Sequence, residues 1–143
     1  MKQRNLIPLL VVVMLLMASQ AHAQRLDDIV DIVRFAWSNS DAKAVAAMGA
    51  SDGISIETKA GRMGPLRTRQ ANAVLRRLFE ERETVSMRPG KTQIVGGTPR
   101  RAFSEITWVT RAPDTTESER VTILLELVQE GERWRITQIR MLP

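Results

Sequence analysis

Two apolar, β-branched runs meet at Glu130-Gly131, in the stretch VTILLELVQEGERWRITQIRM from Val121 to Met141. Runs of this kind joined by a glycine turn signal a β-hairpin. With Glu130-Gly131 as a two-residue loop, Leu127 faces Trp134, Leu125 faces Ile136 and Glu126 faces Arg135. Alternation along the strands then gathers Ile123, Leu125, Leu127, Trp134 and Ile136 on one face. The opposite face is mixed: Leu124, Glu126, Val128, Arg133, Arg135, Thr137 and Ile139. A three-residue loop with Gly131 in a left-handed bulge scatters the apolar residues over both faces, so the segregating register is the expectation. An apolar hairpin face of this size has to be covered, and the upstream chain supplies the cover.

That cover starts with an amphipathic helix over Arg25–Trp37, where Leu26, Ile29, Val30, Val33, Ala36 and Trp37 recur at three and four. Asp27 and Asp28 fall in its first turn, where the helix dipole favours them. Ser38-Asn39-Ser40-Asp41 stops it and caps a short second helix, Ala42–Met48, which Gly49 ends. Ile54–Thr58 alternates as a strand and Gly61–Pro65 reads as a turn. Thr68 is a natural N-cap for a helix to about Arg82, with Ala71, Val74, Leu75, Leu78 and Phe79 as its buried stripe. Weaker strands follow at Thr84–Met87 and Thr92–Val95, then Phe103–Arg111 before the closing hairpin. Helices segregated from a strand meander imply an α+β fold: a curved antiparallel sheet with about three helices packed on its concave face.

The first residues read as a targeting segment. Lys2 and Arg4 give a positive start, Leu6 to Met17 an apolar run, and Ala21-His22-Ala23 a small-residue cleavage box. Residues 1–23 are expected to be a signal peptide, residues 24–143 a single domain, and the location periplasmic or secreted after cleavage near Ala23. Loss of the signal removes His22, the one histidine of a chain that has no Cys and no Tyr. Ser-His-Asp and Cys-His nucleophiles and His-built metal sites are thereby excluded from the mature chain, and no cofactor is expected. Disulfides are excluded too.

The net charge of +5 is uneven. Lys59 to Arg101 holds eleven Lys and Arg against three Glu. Such a belt suits an anionic partner, for instance a membrane surface met by Arg69, Arg76 and Arg77, but a solvated helix face accounts for it more simply. Without basic-aromatic interleaving, nucleic acid is not expected as a partner.

Phe35-Ala36-Trp37-Ser38-Asn39-Ser40-Asp41-Ala42, the junction Met48 to Ile56, Leu75-Arg76-Arg77-Leu78-Phe79 and the closing Gly131-Glu132-Arg133-Trp134-Arg135-Ile136 together resemble the nuclear-transport-factor-2-like superfamily of small cone-shaped domains. The resemblance spans nearly the whole mature chain and is greatest to short exported members of unknown function. It implies a conical pocket between helices and sheet, and dimerisation through the sheet's outer face. Some members are isomerases or dehydratases that use pocket Asp, His or Tyr. This chain has no His or Tyr to match them, and no catalytic residue is assigned.

Against that background Trp37 and Trp108 are candidates to line a pocket for a small apolar ligand, and Trp134 is expected in the core. Gln138 and Arg140 share the parity of Trp134 and Ile136 and are candidates for a polar pocket mouth; a bulge that hands the inner side to Ile139 and Met141 is the simpler reading. Leu124, Val128 and Ile139 make the outer face more apolar than water requires, which fits a homodimer. The expected role is non-enzymatic binding of a small apolar ligand or a protein partner. The alternative is proton-transfer chemistry by carboxylates and Arg alone.

Overall fold

The computed structural model describes residues Arg25–Pro143, so the expected signal peptide lies outside the described residues. Three helices and six strands follow in the order α1 (Leu26–Ser38), α2 (Ala42–Ala47), β1 (Ile54–Thr58), β2 (Gly61–Leu66), α3 (Thr68–Glu81), β3 (Glu83–Val95), β4 (Arg101–Arg111), β5 (Glu119–Glu130) and β6 (Arg133–Leu142). The strands form one sheet in the order β2-β1-β6-β5-β4-β3. Only β1 and β6 run parallel; every other neighbouring pair is antiparallel. The class is α+β, a curved and unclosed sheet with helices on one face.

The helical periods fall where the spacing puts them. α1 buries Leu26, Ile29, Val30, Val33, Ala36 and Trp37. Asp41 caps α2, its Oδ1 accepting from the Ala44 N–H at 3.0 Å. α3 buries Ala71, Leu75 and Phe79 and leans Val74 and Leu78 on the same core. Its N-cap is Arg67 and not Thr68: the Gln70 side chain accepts from the Arg67 N–H at 3.1 Å, so the helix begins at Thr68, one residue earlier than expected.

Gly61–Pro65, expected as a turn, lies in the strand β2, which pairs with β1 from Ile54↔Leu66 to Thr58↔Gly61. Pro65 has no N–H for a ladder, but β2 is an edge strand and one side of it needs none. The two weak strands expected around Pro89-Gly90 are one strand, β3, whose register shifts at Thr84/Ser86 and at Pro89/Thr92. β3 is the other edge, and bulges with a proline protect such an edge from stray pairing.

The closing hairpin pairs differently from the expected register. The loop is Gly131-Glu132, with Glu130 opposite Arg133, Gln129 opposite Trp134 and Leu127 opposite Ile136. Gly131 leads it at φ +61°, the position where a two-residue II′ hairpin wants glycine. The pairing has slipped by two, so the parity of Leu127, Trp134 and Ile136 survives and all three are buried. Beyond Ile136 the parity does not survive. Glu126 pairs with Gln138 and Leu127 with Ile136, which leaves Thr137 as an extra residue in β6.

The bulge coincides with a change of neighbour on the other side of β6. Ile136 donates its N–H to Met48 O and accepts from the Ala50 N–H, each at 2.8 Å. This one-residue bridge at Gly49 docks the α2–β1 link onto the sheet, and β1 takes over from Gln138 onward. A Cβ at Gly49 would sit 2.7 Å from Ile54 Cγ1, so the close approach calls for glycine.

One continuous core lies between the inner face and the helices. It holds Ile106 and Trp108 from β4, Val121, Ile123, Leu125 and Leu127 from β5, and Trp134, Ile136 and Ile139 from β6. Those side chains meet the stripes of α1, α2 and α3, whose burial relative to exposure contributes about 1.5–3 kcal/mol for each large apolar group.

Candidate functional site

At one end of the sheet the core opens. The last turn of α3 (Leu78, Glu81), Arg82, the Thr58–Ala60 turn, the start of β5 (Glu119, Val121) and the end of β6 enclose a cavity of about 270 Å³. Trp108 forms its base, and Leu78, Val121 and Met141 form apolar walls.

The base is rigidly held. Trp108 donates its indole N–H to Thr84 Oγ1 at 2.8 Å. Its ring meets Trp37 edge-on at 5.4 Å between centroids, and Trp37 meets Phe79 edge-on at 5.0 Å. Edge-to-face pairs of this kind add about 0.5–1.5 kcal/mol beyond burial. Trp37 itself is fully enclosed and does not reach the cavity. Its place among the pocket residues is corrected: the α1 stripe turns it into the core, behind Trp108.

The mouth is charged. Arg82 Nη1 donates to Glu119 Oε2, and Lys59 Nζ lies 3.3 Å from Glu119 Oε1. Hydrogen bonding to Arg82 first, then to Lys59, with the attraction of both charges, holds the Glu119 carboxyl below the usual carboxylate range. The residues come from three elements, 37 and 60 positions apart in the chain. No local spacing in the sequence pairs them, and sequence reasoning missed all three.

Gln138 and Arg140, candidates for a polar mouth, are not there; the simpler reading, a bulge that hands the inner side to Ile139 and Met141, is what forms. The Thr137 bulge turns both to the outer face. There Gln138 Nε2 donates to Glu57 Oε2 at 3.2 Å, and Arg140 Nε lies 3.3 Å from the same oxygen. The bulge also takes Ile139 away from the outer face: it pairs with Leu125 and Ile56 and is fully buried in the core. Of the expected dimer face, Leu124 remains half-buried beside Phe103, while Val128 is covered within the chain. The Glu126–Arg135 pair does not form. Glu126 meets Arg101 at 3.0 Å instead, and Arg135 donates to Ala47 O at 3.1 Å.

A second, open cleft lies at the opposite end, beside Arg25, Asp27, Ile94 and Trp134. Arg100 stacks 5.9 Å above the Trp134 ring there. Trp134, which lines this cleft, is buried as expected of a core residue. Among the described residues no three His, Cys, Asp or Glu side chains gather as a metal site requires. Arg69, Arg76 and Arg77 are exposed on α3, with Arg77 paired to Glu81 at 3.3 Å.

No protein-family model matches the chain, and no curated protein matches it. Solved structures do. A DUF4783 family protein of Bacteroides uniformis superposes with a TM-score of 0.64 at 12% identity, covering 78% of this chain and 94% of that one. A hypothetical protein of Catenulispora acidiphila with a ketosteroid isomerase-like fold, solved in complex with trimethylamine, gives 0.63 at 19% identity, covering 80% and 84%. A domain of unknown function with a cystatin-like fold from Nostoc punctiforme gives 0.62 at 15% identity, covering 78% and 70%. The fold is therefore the cystatin-like, nuclear-transport-factor-2-like one that the sequence resembles. At these identities the likeness concerns the fold, and function has to be argued from the site.

Proposed function

We propose that this domain is a non-enzymatic binding module, exported by its N-terminal segment, that takes a small molecule with an apolar body into the cavity above Trp108. The supporting observation is the cavity itself: a fixed aromatic base, aliphatic walls and a few converging polar groups at the mouth, the usual make-up of a small-molecule site. The carboxylate alternative is disfavoured by Glu119. A general base works best with a pKa near the operating pH, and two cations move Glu119 the other way.

The test is native mass spectrometry of the mature protein beside Val121→Trp, which fills the cavity from its wall. A non-covalent adduct present in the parent protein and lost in the variant is the expected result. An adduct that persists in Val121→Trp, or no adduct in either, overturns the reading. We further propose a homodimer across the outer face, supported by Phe103 and Leu124, which are diagonal neighbours and stay partly exposed between ion pairs.

A further inference from the structure

The mouth of the cavity contains a ready-made anion arrangement that the chain fills with its own carboxylate. Arg82, at the C-cap of α3, and Lys59, in the β1–β2 turn, converge on the two oxygens of Glu119. Two cations thus share one carboxylate. An incoming anion finds donors already in place, whereas an incoming cation has to displace one. The Arg82 bond to Glu119 uses one of five guanidinium N–H groups, so the fork has capacity for a second carboxylate or for exchange. Glu81, the other acidic side chain at the cavity, is engaged by Arg77 on the outer side of α3.

Glu119 is held by its two ion pairs and by little packing. It is the first residue of β5, directly after the turn at 112–118, and its side chain is 40% exposed. Arg82 is the better held of the two cations, at 34% exposure against 70% for Lys59. Swinging Glu119 outward costs little packing, and it frees the donors of Arg82 and Lys59 at the cavity mouth.

Resting on the pocket reading above, we infer that the ligand is an amphipathic monocarboxylate: its chain lies on Trp108, Val121 and Leu78, and its carboxylate replaces that of Glu119 on Arg82 and Lys59. The cavity volume of about 270 Å³ suits a chain of medium length. Glu119 is in this arrangement an internal competitor for the ligand headgroup.

The test compares octanoate, 1-octanol and octylamine by calorimetric titration of the mature protein and of Glu119→Gln, Arg82→Gln, Lys59→Gln and, as a control away from the cavity, Arg69→Gln. Octanoate is expected to bind about tenfold more tightly than 1-octanol, the ratio that one charge-assisted hydrogen bond supplies. Glu119→Gln is expected to tighten octanoate and leave 1-octanol unchanged. Arg82→Gln and Lys59→Gln are expected to reduce the octanoate preference, and Arg69→Gln to leave it intact. Lys59→Gln alters an exposed side chain, so it carries the test if Arg82→Gln does not fold. Equal affinity for octanoate and 1-octanol, preference for octylamine, or indifference to Glu119→Gln overturns the headgroup assignment while the pocket reading stands. Failure of all three probes to bind overturns both.

Discussion

Trp108 on β4 lies opposite Met87 and reaches along β3 to Thr84, and the 2.8 Å bond from the indole nitrogen to the threonine hydroxyl is what locks the cavity floor. Trp108 is almost wholly buried, so its N–H has no water to turn to. Thr84→Val keeps the shape of the side chain and deletes the acceptor. The expected cost is about 1–3 kcal/mol, the penalty for a buried donor left unpaired. Thr84→Ser, which keeps the hydroxyl, is expected to lose distinctly less. Urea denaturation of the three proteins side by side checks this; equal stability of Val and Ser variants would remove the bond from the account.

Acid should weaken the mouth. Glu119 has its folded-state pKa depressed by Arg82 and Lys59, so the stability it contributes is present above its unfolded pKa and disappears as pH falls through the folded value. Melting temperatures recorded between pH 6 and pH 3, a window of roughly the carboxylate range and below, are expected to fall less steeply for Glu119→Gln than for the parent. Parallel curves would show that this carboxylate does not take part in the linkage.

Gly49→Ala is expected to destabilise, although alanine favours ordered backbone. The new Cβ meets Ile54 Cγ1 at 2.7 Å and Cδ1 at 2.8 Å, and Ile54 is itself enclosed. Overpacking of this kind costs about 1–3 kcal/mol. Ile54→Val in the Gly49→Ala background removes Cδ1 and is expected to recover part of the loss; thermal melts of the single and double variants decide it.

Leu124→Asp probes the outer face. Leu124 is half-buried on the side of the sheet away from the helices, so the fold tolerates a charge there. Sedimentation velocity across a concentration series is expected to show a dimer for the parent and a monomer for the variant, with unchanged far-ultraviolet circular dichroism. A parent that sediments as a monomer at every concentration disposes of the homodimer.

Much of the architecture is legible in the residues because it is periodic. The stripes of α1 and α3 and the inner row Ile123, Leu125, Leu127 repeat at the spacing of their elements, and they pack on each other. What breaks a period is harder to place. A bulge that sends Ile139 inward and Gln138 and Arg140 outward is the simpler reading of the residues, but that Thr137 is the one inserted is not legible in them. β2 carries Gly61, Gly64 and Pro65, which read as a turn because an edge position cannot be known before the sheet order is. The charged mouth is a matter of tertiary placement: Lys59, Arg82 and Glu119 each look like ordinary surface residues until the turn, the helix end and the strand start converge.

The sheet order has a consequence for biosynthesis. β6 is the last strand in chain order but sits between β1 and β5 in space. A nascent chain that has not yet released β6 from the ribosome holds a β1–β2 hairpin and a β3–β4–β5 meander with no shared ladder. The edges of β1 and β5 that β6 will fill are both open, and unpaired edges of that sort invite association with other chains. Folding of the sheet is thus postponed until β6 has emerged. Premature stop codons before Arg133 are expected to yield aggregates and not a smaller working domain.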